Sequence, residues 1–197
     1  MKMKKTACHM LLALASLSPL SSALAAEPAF PSFGAIPGGN LYILDPEEPV
    51  DVVYVGSYYH YGFDVEANVI DSGGRLGMIW KTITFNTKYL RQGDTRRLSY
   101  HDTKYGGEVI IRIKPSSAYH FYSGDRNRNA DNYVHAKVVY NYAGPGTALV
   151  GFEAQLKGGD RDYNDAVFLL TNVTRQQPLY QPSGSGNIGS VMPSWPK

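Results

Sequence analysis

Apolar and polar residues alternate along much of this chain with a period of two, the repeat of a half-buried β-strand. Phe63, Val65, Ala67 and Val69 interleave with Asp64, Glu66 and Asn68, which predicts a strand with one face buried and the other in water. Glu108 to Lys114 predicts a second, with Val109, Ile111 and Ile113 on one face and Ile110, Arg112 and Lys114 on the other. Thr147 to Leu156 places Ala148, Val150, Phe152 and Ala154 on one face. Val50 to Tyr59, Tyr133 to Tyr142 and the largely apolar run Ala166 to Val173 are rich in β-branched and aromatic residues, as strands are. Shorter candidates lie at Leu41 to Leu44, Leu76 to Phe85, Arg97 to His101 and Tyr119 to Tyr122. Gly- and Asp-rich turns separate these runs, and no window carries a long helical repeat. The pattern predicts an all-β single domain, an antiparallel β-sandwich of jelly-roll type.

The ends of the chain read differently. Lys2, Lys4 and Lys5 precede a short apolar core and then Ala23-Leu24-Ala25, which predicts a secretory signal peptide over residues 1–25. Residues 26–40, with three prolines and three glycines from Glu27 onward, read as a lead-in. The sandwich is expected over 41–174, and the Gln-, Pro-, Ser- and Gly-rich residues 175–197 as a flexible tail. Cleavage removes three of the 19 basic residues and none of the 17 acidic ones, leaving 16 against 17. A near-neutral chain with two small arginine clusters argues against nucleic acid as a partner. The single cysteine, Cys8, leaves with the signal, so the mature protein has neither a disulfide nor a catalytic thiol. No apolar stretch after the signal is long enough to span a membrane, and the protein is expected outside the cytoplasm, extracellular or periplasmic.

Candidate chemistry concentrates in Gly158 to Leu170, G-G-D-R-D-Y-N-D-A-V-F-L-L. Asp160, Asp162, Asn164 and Asp165 carry the hard oxygens that calcium takes, and two glycines allow a tight path. Asp165 stands where an EF loop needs glycine and Thr171 where it needs glutamate, which excludes an EF hand. An exposed Asx-rich turn with Arg161 balancing the charge is the alternative to a metal. Asp125, Asn127, Asn129, Asp131 and Asn132 form a second polar cluster ahead of a strand whose His135 either faces outward with Tyr133, making Asp131 and His135 candidate ligand contacts, or bonds a loop carbonyl or carboxylate. Tyr54, Tyr58, Tyr59, His60 and Tyr61 make an aromatic stretch suited to a sugar or a protein partner. No G-x-S-x-G, H-E-x-x-H or phosphate loop is present, and the acids crowd into one loop rather than flanking a bond as in glycoside hydrolases. An enzyme is therefore not expected.

The longer string G-F-E-A-Q-L-K-G-G-D-R-D-Y-N-D-A-V-F, Gly151 to Phe168, resembles the hallmark motif of the DUF4114 family of bacterial secreted and surface proteins. N-A-D-N-Y-V-H-A, with Asn129, Asp131, His135 and Ala136, is similar to that family's upstream block, and the looser likeness runs from about Val53 to Val173. The resemblance implies a β-sandwich found alone or in adhesins and matrix proteins, with an acidic metal loop of Glu153, Asp160, Asp162, Asn164 and Asp165. The family's usual acid after the glutamate is Ala154 here, so one potential ligand is missing. The sorting tail of PEP-CTERM type is not seen, which implies release. The expected function is a calcium-stabilised module binding an extracellular polysaccharide or envelope protein. A purely structural or self-assembling protein stays open as the alternative.

Overall fold

A computed structural model describes residues 30–59, 62–70, 83–98, 103–104 and 106–178. The expected signal peptide over residues 1–25, His60, Tyr61, the turn at 71–74, most of the candidate strand at 76–85, the end of that at 97–101 and the expected tail beyond 178 lie outside the described residues. Two antiparallel sheets face each other, so the expected β-sandwich is what the chain forms. The first sheet runs β1 (Ile36–Pro37), β9 (Ala136–Tyr140), β10 (Thr147–Phe152), β11 (Ala166–Thr171), β3 (Val50–Gly56) and β6 (Thr95–Leu98). The second runs β12 (Val173–Thr174), β2 (Leu41–Ile43), β7 (Glu108–Lys114), β4 (Asp64–Ile70) and β5 (Ile83–Asn86), with β8 (Phe121–Tyr122) also on β7.

The period-two pattern sets what lies between the sheets. Val150 pairs with Val138 on one side and Phe168 on the other, and Phe168 pairs with Tyr54. These residues meet Val65, Ala67, Ile111 and Ile113 of the second sheet in one core. The inner faces of β7 and β10 are those the alternation predicts.

Three expectations change. The polar face of β4 is not solvated: Glu66, Asn68 and Ile70 are buried. Glu66 is paired by Arg112 and by Lys114, the latter at 3.2 Å, so burial of this carboxylate is offset by two cations. The lead-in also holds structure, because β1 pairs with β9 and Phe30 is buried on the outer face of the first sheet. Finally, the run Ala166 to Val173 is two strands. Asn172 takes φ 57, and its side chain accepts from Asp45 N–H and donates to the Asp45 and Glu48 carbonyls, which turns the chain from the first sheet into the second. Among the described residues no helix is long and apolar enough to cross a membrane.

Candidate metal loop and adjoining cleft

The β10–β11 hairpin carries the acidic loop at its end, opposite the Asn172 switch. Phe152 pairs with Ala166, and residues 153–165 close the connection. Glu153 continues β10 past its last paired residue and is wholly buried, its N–H donating to the His135 carbonyl. The loop then folds back over it. Gly158 and Gly159 take φ 78 and 34, and a Cβ at Gly159 would lie 2.5 Å from Glu153 Oε1. Only glycine lets the backbone pass so close to that carboxylate. Arg161 and Tyr163 also adopt left-handed φ, 68 and 60. The Gln155 and Arg161 N–H groups donate to the two Glu153 oxygens at 3.3 and 3.1 Å.

Oxygens of Glu153, Asp160 and Asp162 come within 4.8 Å of one another, with Glu153 buried and the two aspartates exposed. Burial, reinforced by Asp165 and Asp160, pushes the Glu153 carboxyl up to about 8. Burial likewise raises Asp162, with Asp160 and Asp165 adding to it and the Asn164 N–H opposing. Protein cations do not relieve this crowding: among the described residues Arg161 forms no ion pair, and its guanidinium lies 5.8 Å from the centre of the Tyr133 ring. The expected charge balance by Arg161 is therefore not made through a salt bridge. Asn164 is 3% exposed, and its Oδ1 has no hydrogen-bond partner among the described residues. Three convergent carboxylates short of positive charge, beside an orphaned amide oxygen, fit a hard metal ion. Asp165 is committed differently, its Oδ2 accepting from Ala154 N–H at 2.6 Å.

The second polar cluster braces this loop from beneath. His135 is fully buried, stacked on Phe121 at 3.7 Å, so it does not face outward as one reading of the strand had it. Its Nδ1–H donates to the Glu153 carbonyl at 2.8 Å, and Nε2 lies 3.0 Å from Asp131 Oδ2. The same Asp131 oxygen accepts from Lys157 N–H at 2.8 Å. Burial alone would raise the Asp131 carboxyl, but the Lys157 N–H, His135 and the Tyr133 N–H outweigh it and hold the group below the usual carboxylate range. Asp131 and His135 thus position the loop rather than open onto solvent.

The aromatic stretch divides. Tyr54 is in the core against Phe168, Tyr59 packs on Phe63 at 5.6 Å, and Tyr58 is 44% exposed. His60 and Tyr61 lie outside the described residues. No continuous tyrosine face is formed by the described members, because Tyr54 and Tyr59 both pack on the core and Tyr58, beyond the end of β3, turns to solvent. The same segment does reach the loop: Tyr58 N–H donates to the Asn164 carbonyl, and the side-chain Oγ–H of the neighbouring Ser57 to that of Asp165.

A cleft of about 270 Å³ adjoins the loop, lined by Phe30, Pro31, Ser32, Lys137, Arg161, Asp162 and Asn164. The sequence reading missed its other wall. Phe30 to Ser32 fell in the supposed lead-in, and Lys137 stood one position outside the core pattern of β9. No family model matches the chain, and no curated protein does. Among solved structures the chain is similar to the C-terminal domain of BC2L-C lectin from Burkholderia cenocepacia, with TM-score 0.38 and 15% identity over 68% of this chain and 96% of that one. A likeness of that size carries no argument about what this chain binds.

Proposed function

We propose that this protein is an exported, non-catalytic β-sandwich module that binds calcium through Glu153, Asp160 and Asp162 and presents the ordered loop to a ligand outside the cell, a polysaccharide or an envelope protein. The observation that carries the reading is the convergence of these three carboxylates. Calcium–oxygen distances of about 2.3–2.6 Å put ligands of one ion no more than about 5 Å apart. The 4.8 Å spread lies inside that limit. The Gly151 to Phe168 motif supports membership of the DUF4114 family, and the signal peptide supports export to where weak calcium sites fill.

A second reading, a self-sufficient turn in a purely structural protein, is favoured by two Asx turns. Asp160 Oδ1 accepts from Asp162 N–H at 3.4 Å and Asp162 Oδ1 from Asn164 N–H at 3.1 Å. Melting of the mature protein in EGTA and then in millimolar calcium separates the two. Calcium binding raises the midpoint, because a ligand held only by the folded state stabilises it, and Asp162→Ala removes most of the rise. An unchanged midpoint in the wild type selects the turn.

A further inference from the structure

The cleft beside the acidic loop has its own chemistry. Lys137, half-buried on the outer face of the first sheet, places its ammonium 4.1 Å from the centre of the Tyr163 ring. Neither it nor Arg161 has a carboxylate partner among the described residues, although other buried and exposed cations of this chain do. Two cations on one cleft, neither of them ion-paired to the Asp162 that shares it, suit an anion once that carboxylate is offset, and a guanidinium and an ammonium both bind carboxylate well. The remaining lining is of another kind. Phe30 and Pro31 give one wall an apolar surface, and Phe33, one residue beyond Ser32, is 94% exposed. Asn164 also lines the cleft and brings an amide to it, a group that a sugar hydroxyl can bond.

We propose that this cleft is a subsite for the uronic acid residue of an acidic polysaccharide, with Lys137 and Arg161 holding the sugar carboxylate. A uronic acid joins one carboxylate, several hydroxyl donors and an apolar C–H face in a single ring. An acidic peptide side chain supplies the carboxylate but neither the hydroxyls nor the ring face. The volume agrees, since pockets for drug-sized ligands run from about 300 to 1,000 Å³ and 270 Å³ suits one sugar ring. Asp162 lies on both the cleft and the metal set, so this assignment rests on the calcium reading: the cation offsets the charge that Asp162 would turn on an anionic ligand.

The test is an NMR titration of the calcium-saturated mature protein with methyl β-glucuronide, with methyl β-glucoside and N-acetylglutamate as comparisons. Saturable shifts of the Lys137, Arg161 and Asn164 amides are expected with the glucuronide, and binding weaker by about tenfold or more with the glucoside, as for loss of a charge-assisted bond. Lys137→Gln and Arg161→Asn, the latter chosen because asparagine tolerates left-handed φ, are each expected to weaken glucuronide binding by about tenfold while leaving the calcium-induced melting shift in place. Equal binding of glucuronide and glucoside, absence of shifts at these amides, or variants that bind as wild type overturn the subsite. Binding of N-acetylglutamate as tight as that of glucuronide overturns the sugar assignment in favour of an acidic peptide. A calcium melting shift without glucuronide binding is the failure of the subsite alone, whereas loss of the melting shift itself is the failure of the reading beneath it.

Discussion

Replacing Glu153 by glutamine is expected to stabilise the metal-free protein, although the residue is buried and fully bonded. Its carboxyl is pushed from 4.5 to about 8 by burial and by Asp165 and Asp160. At pH 7 the folded metal-free state therefore keeps a proton that the unfolded chain has released. Each pKa unit is 1.36 kcal/mol, and pH 7 lies about 2.5 units above the unfolded value, so the handicap is roughly 3 kcal/mol. A carboxyl whose folded pKa is raised contributes stability that is complete below pH 4.5 and lost as pH rises through about 8. Glutamine carries no proton to lose, keeps one acceptor oxygen for the Gln155 or the Arg161 N–H at the cost of the other bond, and offers an N–H toward Asp165 and Asp160. Urea denaturation in EGTA at several pH values measures the difference. Glu153→Gln should be more stable than wild type by roughly 1–3 kcal/mol at pH 7, about 3–10 °C in Tm, with the gap opening between pH 4.5 and 8 and flat above. Calcium should then rescue the wild type and have little effect on the variant. A variant less stable than wild type in EGTA at pH 7, or a gap that ignores pH, refutes the reasoning.

Other consequences follow from the packing. Phe168→Ala empties the space between the sheets where that ring meets Phe152 and Tyr54, and should cost about 3–5 kcal/mol in urea denaturation without altering the size of the calcium shift. His135→Gln removes the stacking on Phe121 and loosens the tie between Asp131 and the Glu153 carbonyl; a loss of roughly 1–3 kcal/mol and a higher calcium midpoint in a melting titration are expected. Asn172→Ala loses three hydrogen bonds at a left-handed residue and should cost about 2–3 kcal/mol, read from the same urea curves.

The sandwich was legible because its inner faces obey a simple alternation: Val109, Ile111 and Ile113, and Ala148, Val150 and Phe152, point to one side and nothing opposes them. The acidic loop was legible because its ligands are crowded in sequence. What alternation hides is the outer face. Glu66 and Asn68 read as solvated, yet Arg112, Lys114 and the neighbouring Ile110 and Tyr122 cover that side of the sheet, a long-range fact that no local pattern encodes. The switch at Asn172 lay inside an apolar run, its only trace a polar residue whose role depends on Asp45 and Glu48, more than a hundred positions away. The outward reading of His135 extended strand alternation one residue too far: β9 begins at Ala136, whose side chain is in the core, and His135, just ahead of it, leaves the alternation and turns its ring inward against Phe121. The cleft was invisible for the same reason, since Phe30, Lys137 and Arg161 meet only once β1 has docked on β9.

The central claim is that Glu153, Asp160 and Asp162 share one cation. A crystal structure of residues 26–197 grown in calcium, with anomalous data to identify the ion, tests it most directly. The account predicts an ion at the β10–β11 loop, about 2.3–2.6 Å from an oxygen of each of the three carboxylates, with His135 still bonded beneath Glu153. Crystals at saturating calcium in which the three side chains point apart, or hold only their backbone N–H partners, would contradict it.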